Sequence, residues 1–307
     1  MAQHSTIEWT DVTWNPIVGC RKVSAGCQNC YAERMAKRLA AMASADLLAN
    51  RNPGKKAAYL HVIDRRGRWN GAVFLDVDAV REPLAWQAPR VVFVNSMSDL
   101  FHPDVPVDFI QEVFSTMASC PQHTFQILTK RPERVVALDK RIIWPRNVWM
   151  GTSVEDRRVV ERARLLAKTS AFIRFLSVEP LIGPIPRLPL SGIDWVIVGG
   201  ESGPGARRMD PEWVRQIRDR CNGLRIPFFF KQWGGTNKSA TGRTLDGKTW
   251  NEMPALAHLS NVENSNGHRS LRRRGSAHSR KTQNSRGIPK GLAANSWPRP
   301  APSLALF

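Results

Sequence analysis

Two runs, IRFLSVE at residues 173–179 and DWVIVGG at residues 194–200, set the architecture expected of this chain. Their apolar residues are nearly continuous rather than alternating, the pattern of a strand covered on both faces, as in a parallel sheet under helices. Four further runs share it: RVVFVNS (90–96), TFQILTK (124–130), NVWMGTS (147–153) and IPFFFKQ (226–232). Two further candidates, GAVFLDV (71–77) and a short segment near Thr13–Ile17, bring the expected strands to eight.

Between the strands lie segments of helical period. MDPEWVRQIRDRCNG offers Asp210 as a cap and Pro211 in the first turn, puts Trp213, Val214, Ile217 and Cys221 on one face, and places Gly223 to close the helix. VDFIQEVFSTMASC aligns Val107, Ile110, Val113, Phe114 and Met117, and EDRRVVERARLLAKT aligns Val159, Val160, Ala163 and Leu166. Repeated strand–helix units of this kind predict an α/β fold, a complete or partial parallel β/α barrel that is TIM-barrel-like, with an open doubly wound sheet as the alternative. In either architecture chemistry belongs at the C-terminal strand ends. Polar residues gather there: Asn95, Ser96 and Asp99; Lys130 and Arg131; Ser153, Glu155 and Asp156; Glu179; Glu201 and Ser202; Lys231, Gln232 and Trp233. Asn95, Lys130, Ser153, Glu179, Gly199, Gly200 and Glu201 are the candidates for a cofactor pocket.

The chain has 307 residues and a formal charge of +19, unevenly spread. Residues 255–307 carry nine Lys/Arg against one acid, Glu263, which leaves 36 basic and 25 acidic residues in 1–254. The body is therefore basic enough for nucleic acid to be a candidate partner. The last 53 residues, rich in Ser, Arg, Asn, Gly and Pro and without an apolar period, are expected to be a basic disordered tail on a 1–254 domain. No leader-like segment and no apolar run of about 20 residues is present, so a cytoplasmic protein without a membrane span is expected. Of the eleven tryptophans, Trp9, Trp14, Trp195 and Trp213 fall in structured segments and are expected in the core rather than as stacking platforms.

In a reducing compartment five cysteines do not make a disulfide framework. Cys120 and Cys221 stand alone and are expected to be buried. Cys20, Cys27 and Cys30, spaced C-x6-C-x2-C, follow the first expected strand and open an apparent helix. Structural zinc needs four ligands, usually from two short knuckles, and the sequence has no second cysteine pair or nearby His-x3-His, so His4 or His61 could add a fourth only if the fold happens to bring one close. A [4Fe–4S] cluster on three thiolates would keep one iron open, and unligated thiols are the third reading. VGGESGPG (198–205) brings glycines to a strand end but lacks the Gly-Lys-Ser/Thr of a phosphate-binding loop.

The runs STIEWTDVTWNPIVGCRKVSAGCQNCYAERMAKR, FVNSMSDLFH, QILTKRP, GTSVED, RFLSVEPLIGPI, DWVIVGGESGPGARRMDPEWVR and PFFFKQWGG resemble the phage Gp37/Gp68 family over about residues 5–254. That family in turn resembles radical S-adenosylmethionine (SAM) proteins of the spore photoproduct lyase branch. The resemblance implies a β/α barrel whose three-cysteine loop carries a [4Fe–4S] cluster, SAM as a second cofactor, and a flavodoxin or ferredoxin as reductant. It also implies that a Gly-Gly-Glu segment meets the SAM amino group, here Gly199, Gly200 and Glu201, although on the penultimate strand instead of the second. The usual spacing is C-x3-C-x2-C with an aromatic before the last cysteine. Here the first gap is six, Asn29 takes that place and Tyr31 follows. The function class opposed to this enzyme is a zinc-stabilised nucleic-acid-binding protein without catalysis.

Overall fold

Continuous apolar strands need cover on both faces, and the chain supplies it by curling one sheet. A computed structural model describes residues 3–255 apart from Thr6. Its main sheet contains seven parallel strands: β1 (Val12–Trp14), β2 (Val91–Val94), β3 (Thr124–Thr129), β4 (Val148–Ser153), β5 (Ile173–Val178), β6 (Trp195–Gly199) and β7 (Phe228–Gln232). They lie side by side in chain order. A doubly wound sheet reverses its strand order at a switch point. None occurs among these strands, so the architecture is a partial β/α barrel.

The barrel is open, and its two edges are covered. Gln3–His4 pairs antiparallel with β1, and residues around Asn251 run antiparallel along β7, with Phe230 N–H donating to Trp250 O at 3.0 Å and Glu252 N–H to Phe228 O at 3.2 Å. Edge backbone groups that would otherwise template aggregation are thereby satisfied. The eighth barrel strand expected at 71–77 is absent from this sheet. Within that run Phe74–Leu75 pairs instead with Ile17–Val18 in a separate two-stranded ribbon. The first barrel strand correspondingly ends at Trp14, before this ribbon begins.

Helix α1 (Tyr31–Leu48) buries its alanine face in a separate cluster with Val18, Tyr59, Val62 and Met97, while four helices cover the convex face, α2 (Val107–Ala118), α3 (Pro132–Leu138), α4 (Glu161–Leu166) and α5 (Pro211–Gly223). The expected stripes are buried on α2 and α5, except that Val107 and Trp213 are only partly covered, and Cys120 and Cys221 lie in the core between helices and sheet. Asp210 caps α5 by accepting from Glu212 N–H, and Asp156 accepts from Arg158 N–H. Gly223, expected to close α5, is its last helical residue. The left-handed residue that turns the chain is Arg225, at φ +56°.

The concave face is divided along its length. Its N-terminal half holds an aromatic layer of Trp9, Phe93, Trp149, Phe175, Trp195 and Phe229, with Trp195 centred 5.9 Å from Trp149 and 6.1 Å from Phe229. Gly151 makes room for it, because a Cβ there would stand 2.3 Å from the Phe175 ring. Side chains on one strand face recur every second residue, so the same columns run on to Ser153, Glu179 and Lys231 at the C-terminal end. The barrel thus has a dry aromatic floor and a polar mouth. None of the described helices is long and apolar enough to cross a membrane. Residues 256–307, which include nearly all of the expected tail, lie outside the described residues.

Candidate metal centre at the barrel mouth

The cysteine loop leaves β1 through Gly19, whose φ of +100° and whose 2.4 Å approach of a hypothetical Cβ to Ala72 O exclude a side chain. It then passes a short turn at Ala25–Cys27 and enters α1 directly after Cys30. All three thiols are half-buried. Burial pushes the Cys20 thiol up to about 12, Asp99 adds to the rise, Arg131 opposes it, and Cys30 and Cys27 contribute further.

Three carboxylates at strand ends hold this loop. After β2 and β3, buried Asp99 accepts from Thr129 Oγ1 and from Arg131 Nη1, both at 2.7 Å, and Arg131 Nη2 donates to Arg21 O at 2.9 Å. After β4, Glu155 accepts from Ser24 Oγ at 2.8 Å while Lys130 Nζ at 3.2 Å and Arg162 Nη1 at 3.0 Å neutralise it. Gly26 lies flat on this carboxylate, since a Cβ there would fall 2.4 Å from Glu155 Cγ. After β6, Glu201 accepts from Asn29 Nδ2 at 3.0 Å and from Arg207 Nε at 2.9 Å, and Arg207 Nη2 donates to Ala25 O at 3.0 Å. Burial alone would raise the Glu201 pKa, but the hydrogen bonds from Arg207 and Asn29 outweigh it and hold the group below the usual carboxylate range. Each clamp is a buried carboxylate neutralised by a cation, the arrangement a buried charge requires.

The expected pocket residues divide accordingly. Lys130 and Glu201 clamp the loop. Glu179 faces the mouth, paired with Lys231 Nζ at 2.9 and 3.0 Å, with Gln232 Nε2 3.3 Å from Oε1. Gly199 packs against this carboxylate, 3.1 Å from a hypothetical Cβ to Glu179 Cδ. Gly200 lies against backbone instead, where a Cβ would stand 1.9 Å from Trp233 O. Ser153 is buried, and its carbonyl accepts from Arg162 Nη1 at 3.1 Å. Asn95 is a buried left-handed residue at φ +61°; its N–H donates to Trp14 O and its Oδ1 accepts from Ile17 N–H, so it shapes the exit from β2. Asn29 and Arg207 hold the loop through Glu201, contacts that the sequence does not reveal. Both sit in irregular loops, where no periodic signal marks a partner six or 172 positions away.

Zinc and an iron–sulfur cluster ask different things of the donor set. Zinc in a closed structural site needs four donors around one point. Among the described residues no group of three or more His, Cys, Asp and Glu is gathered to hold a single ion. His61 lines a separate cavity of about 470 Å³ with Lys55, Asp76 and Glu82, and Lys55 is there paired with both acids. The three thiols of the loop are themselves not gathered about one point; they supply three half-buried donors, the number a cluster bound through three of its irons would use, and the remaining two cysteines lie in the helix-side core.

Fold and site together define a partial β/α-barrel protein with a clamped three-cysteine loop at its C-terminal mouth. The chain belongs to a family described as protein of unknown function (DUF5131), matched over residues 4–254. No curated protein matches it significantly. Among solved structures, spore photoproduct lyase complexed with dinucleoside spore photoproduct is similar at TM-score 0.42 and 13% identity, covering 72% of this chain and 63% of that one. A cysteine-to-serine mutant of spore photoproduct lyase is similar at TM-score 0.42 and 13% identity, covering 86% and 74%. This chain therefore spans less than two thirds of the first of these proteins. A likeness at that level says nothing about chemistry, and the fold rests on the strand order above.

Proposed function

We propose that this protein is an iron–sulfur enzyme of the radical SAM type, with Cys20, Cys27 and Cys30 holding a [4Fe–4S] cluster. The observation that carries the reading is the set of three buried carboxylate clamps that fix the loop over the barrel mouth. A structural staple has no need of polar strand ends gathered beneath it, whereas a cluster with an open iron needs polar groups beside it to hold a second cofactor. The likeness of the motifs to phage Gp37/Gp68 proteins supports the same reading. The cluster would supply the electron that cleaves SAM.

The protein's own part is positioning and exclusion of water. Ser153, Glu179, Gly199 and Lys231 form the polar wall of the mouth, and the ion pair between Glu179 and Lys231 presents one acceptor and one donor group to a zwitterionic ligand. Glu201, expected beside the SAM amino group, serves here through Arg207 and Asn29 and orders the cysteine loop. The aromatic floor closes the barrel to water from below. A cytoplasmic setting and a flavodoxin or ferredoxin as electron donor follow from the same reading. Anaerobic purification and a visible spectrum test it. Broad absorbance near roughly 400 nm, with SAM converted to 5′-deoxyadenosine and methionine under strong reduction, is the expected result. A colourless protein carrying stoichiometric zinc would overturn it.

A further inference from the structure

We propose that the ridge formed by the start of α1 and the hairpin at residues 63–69 is a docking surface for a nucleic-acid phosphodiester backbone, which would lead that polymer to the barrel mouth. The inference deepens the proposed function and rests on it only for the claim that the bound polymer is substrate.

The ridge is one continuous surface. Ile63 bridges Trp69 to make the hairpin, Trp69 N–H donates to Glu33 Oε2 at 3.0 Å, and Gly67 packs on the Lys37 stem, 2.5 Å from a hypothetical Cβ to Cδ. One turn towards the mouth, Arg34 Nη2 donates to Ser202 O at 2.6 Å, which ties α1 to the loop after β6. Lys37, Arg38, Arg65, Arg66 and Arg68 are exposed along this ridge. Two acids accompany them. Glu33 is paired with Lys22 at 2.7 Å, and Asp64 is engaged by the Arg66 and Arg68 backbone N–H groups. The hairpin backbone thus uses its one acid to shape the turn and turns three arginines outward.

Guanidinium forks match phosphate oxygens two at a time, and a row of them neutralises a regularly charged polymer. Tyr31, 49% exposed and anchored by its hydroxyl to Ser96 O at 2.7 Å, stands at the head of α1, one turn before Arg34, as an aromatic beside the row. An anionic membrane is the less suited partner, because α1 spends its alanine face on its own protein and its most exposed apolar side chains, Leu47 and Leu48, lie at the far end of the helix from the ridge.

The test measures binding of a fluorescein-labelled 20-base-pair DNA duplex to the full chain by anisotropy, across a salt series. K37A/R65A/R66A/R68A should bind at least roughly tenfold more weakly at 0.15 M salt and should lower the salt slope by about 3 to 4, near 0.9 for each phosphate no longer neutralised. R65K/R66K/R68K, which keeps the charge, should retain most of the slope, and K140A/R141A, at the opposite end of the barrel, should bind like the parent. If the fourfold variant is destabilised in thermal unfolding, R65E/R66E at the hairpin tip carries the same test. Unchanged affinity and slope in the ridge variants would overturn the proposal, as would ridge-dependent binding to phosphatidylserine vesicles with none to the duplex. Iron content is read on the same samples: ridge-dependent binding by a protein that holds no cluster would sustain the surface and overturn only the radical SAM chemistry.

Discussion

At the scale of single residues, the two glycines that most invite a cofactor reading turn out to serve different neighbours. Gly200 faces the Trp233 carbonyl so closely that no side chain fits, whatever is bound nearby. G200A should therefore destabilise the protein by at least about 1–3 kcal/mol, seen as a lower thermal midpoint with or without SAM present; an unchanged midpoint would show that the strand spacing here is wrong. Glu155 gives a second case. It is 1% exposed and shared by Ser24, Lys130 and Arg162. E155A should cost about 3–5 kcal/mol, because it strands two cations and frees the loop, as measured by urea unfolding of the metal-free protein. A loss below about 1 kcal/mol would place Glu155 outside the architecture of the loop.

At the scale of elements, what was legible followed from burial. The strands at 124–130, 147–153, 173–179 and 194–200 read correctly because parallel strands covered on both faces are apolar throughout, and α5 read correctly because Asp210 and Pro211 mark its start. GAVFLDV misled because a short apolar run does not reveal its partner: Phe74 and Leu75 are exposed to half-buried, as suits a two-stranded ribbon. The hairpin of Thr244–Leu245 with Lys248–Thr249 carries a turn signal of its own, Asp246–Gly247, both at positive φ. Asp246 also ties that hairpin to α5 through Arg215 and Arg218, whose hydrogen bonds hold its pKa at about 2. Since the folded value is depressed, the stabilisation is present above the unfolded pKa near 4 and is lost as pH falls through about 2. The thermal midpoint of D246N should accordingly lie below that of the parent at pH 7 and converge with it between about pH 4 and 2. A gap that persists at pH 2 would mean that the ion pairs do not form.

At the scale of the molecule, the site arises from what the open barrel does with its two ends. The aromatic layer fills the N-terminal half, so every strand-end carboxylate is left to the mouth, and the cysteine loop crosses from β1 to meet those after β2, β4 and β6. The cysteine spacing and the polar strand ends were readable as two separate facts. Their union was not, because the bonds from Glu155 to Ser24 and from Glu201 to Asn29 span 131 and 172 residues. Since the family match ends at residue 254, a chain ending there should keep the thermal midpoint of the full protein; a large fall or insolubility would assign the tail a packing role. The most direct test of the central claim is the iron and the visible absorbance of anaerobically reconstituted single-cysteine variants. C20A, C27A and C30A should each lose most of both, and C120A and C221A should lose neither; retention of iron in any of the first three, or its loss in either of the last two, would contradict a cluster held by the clamped loop.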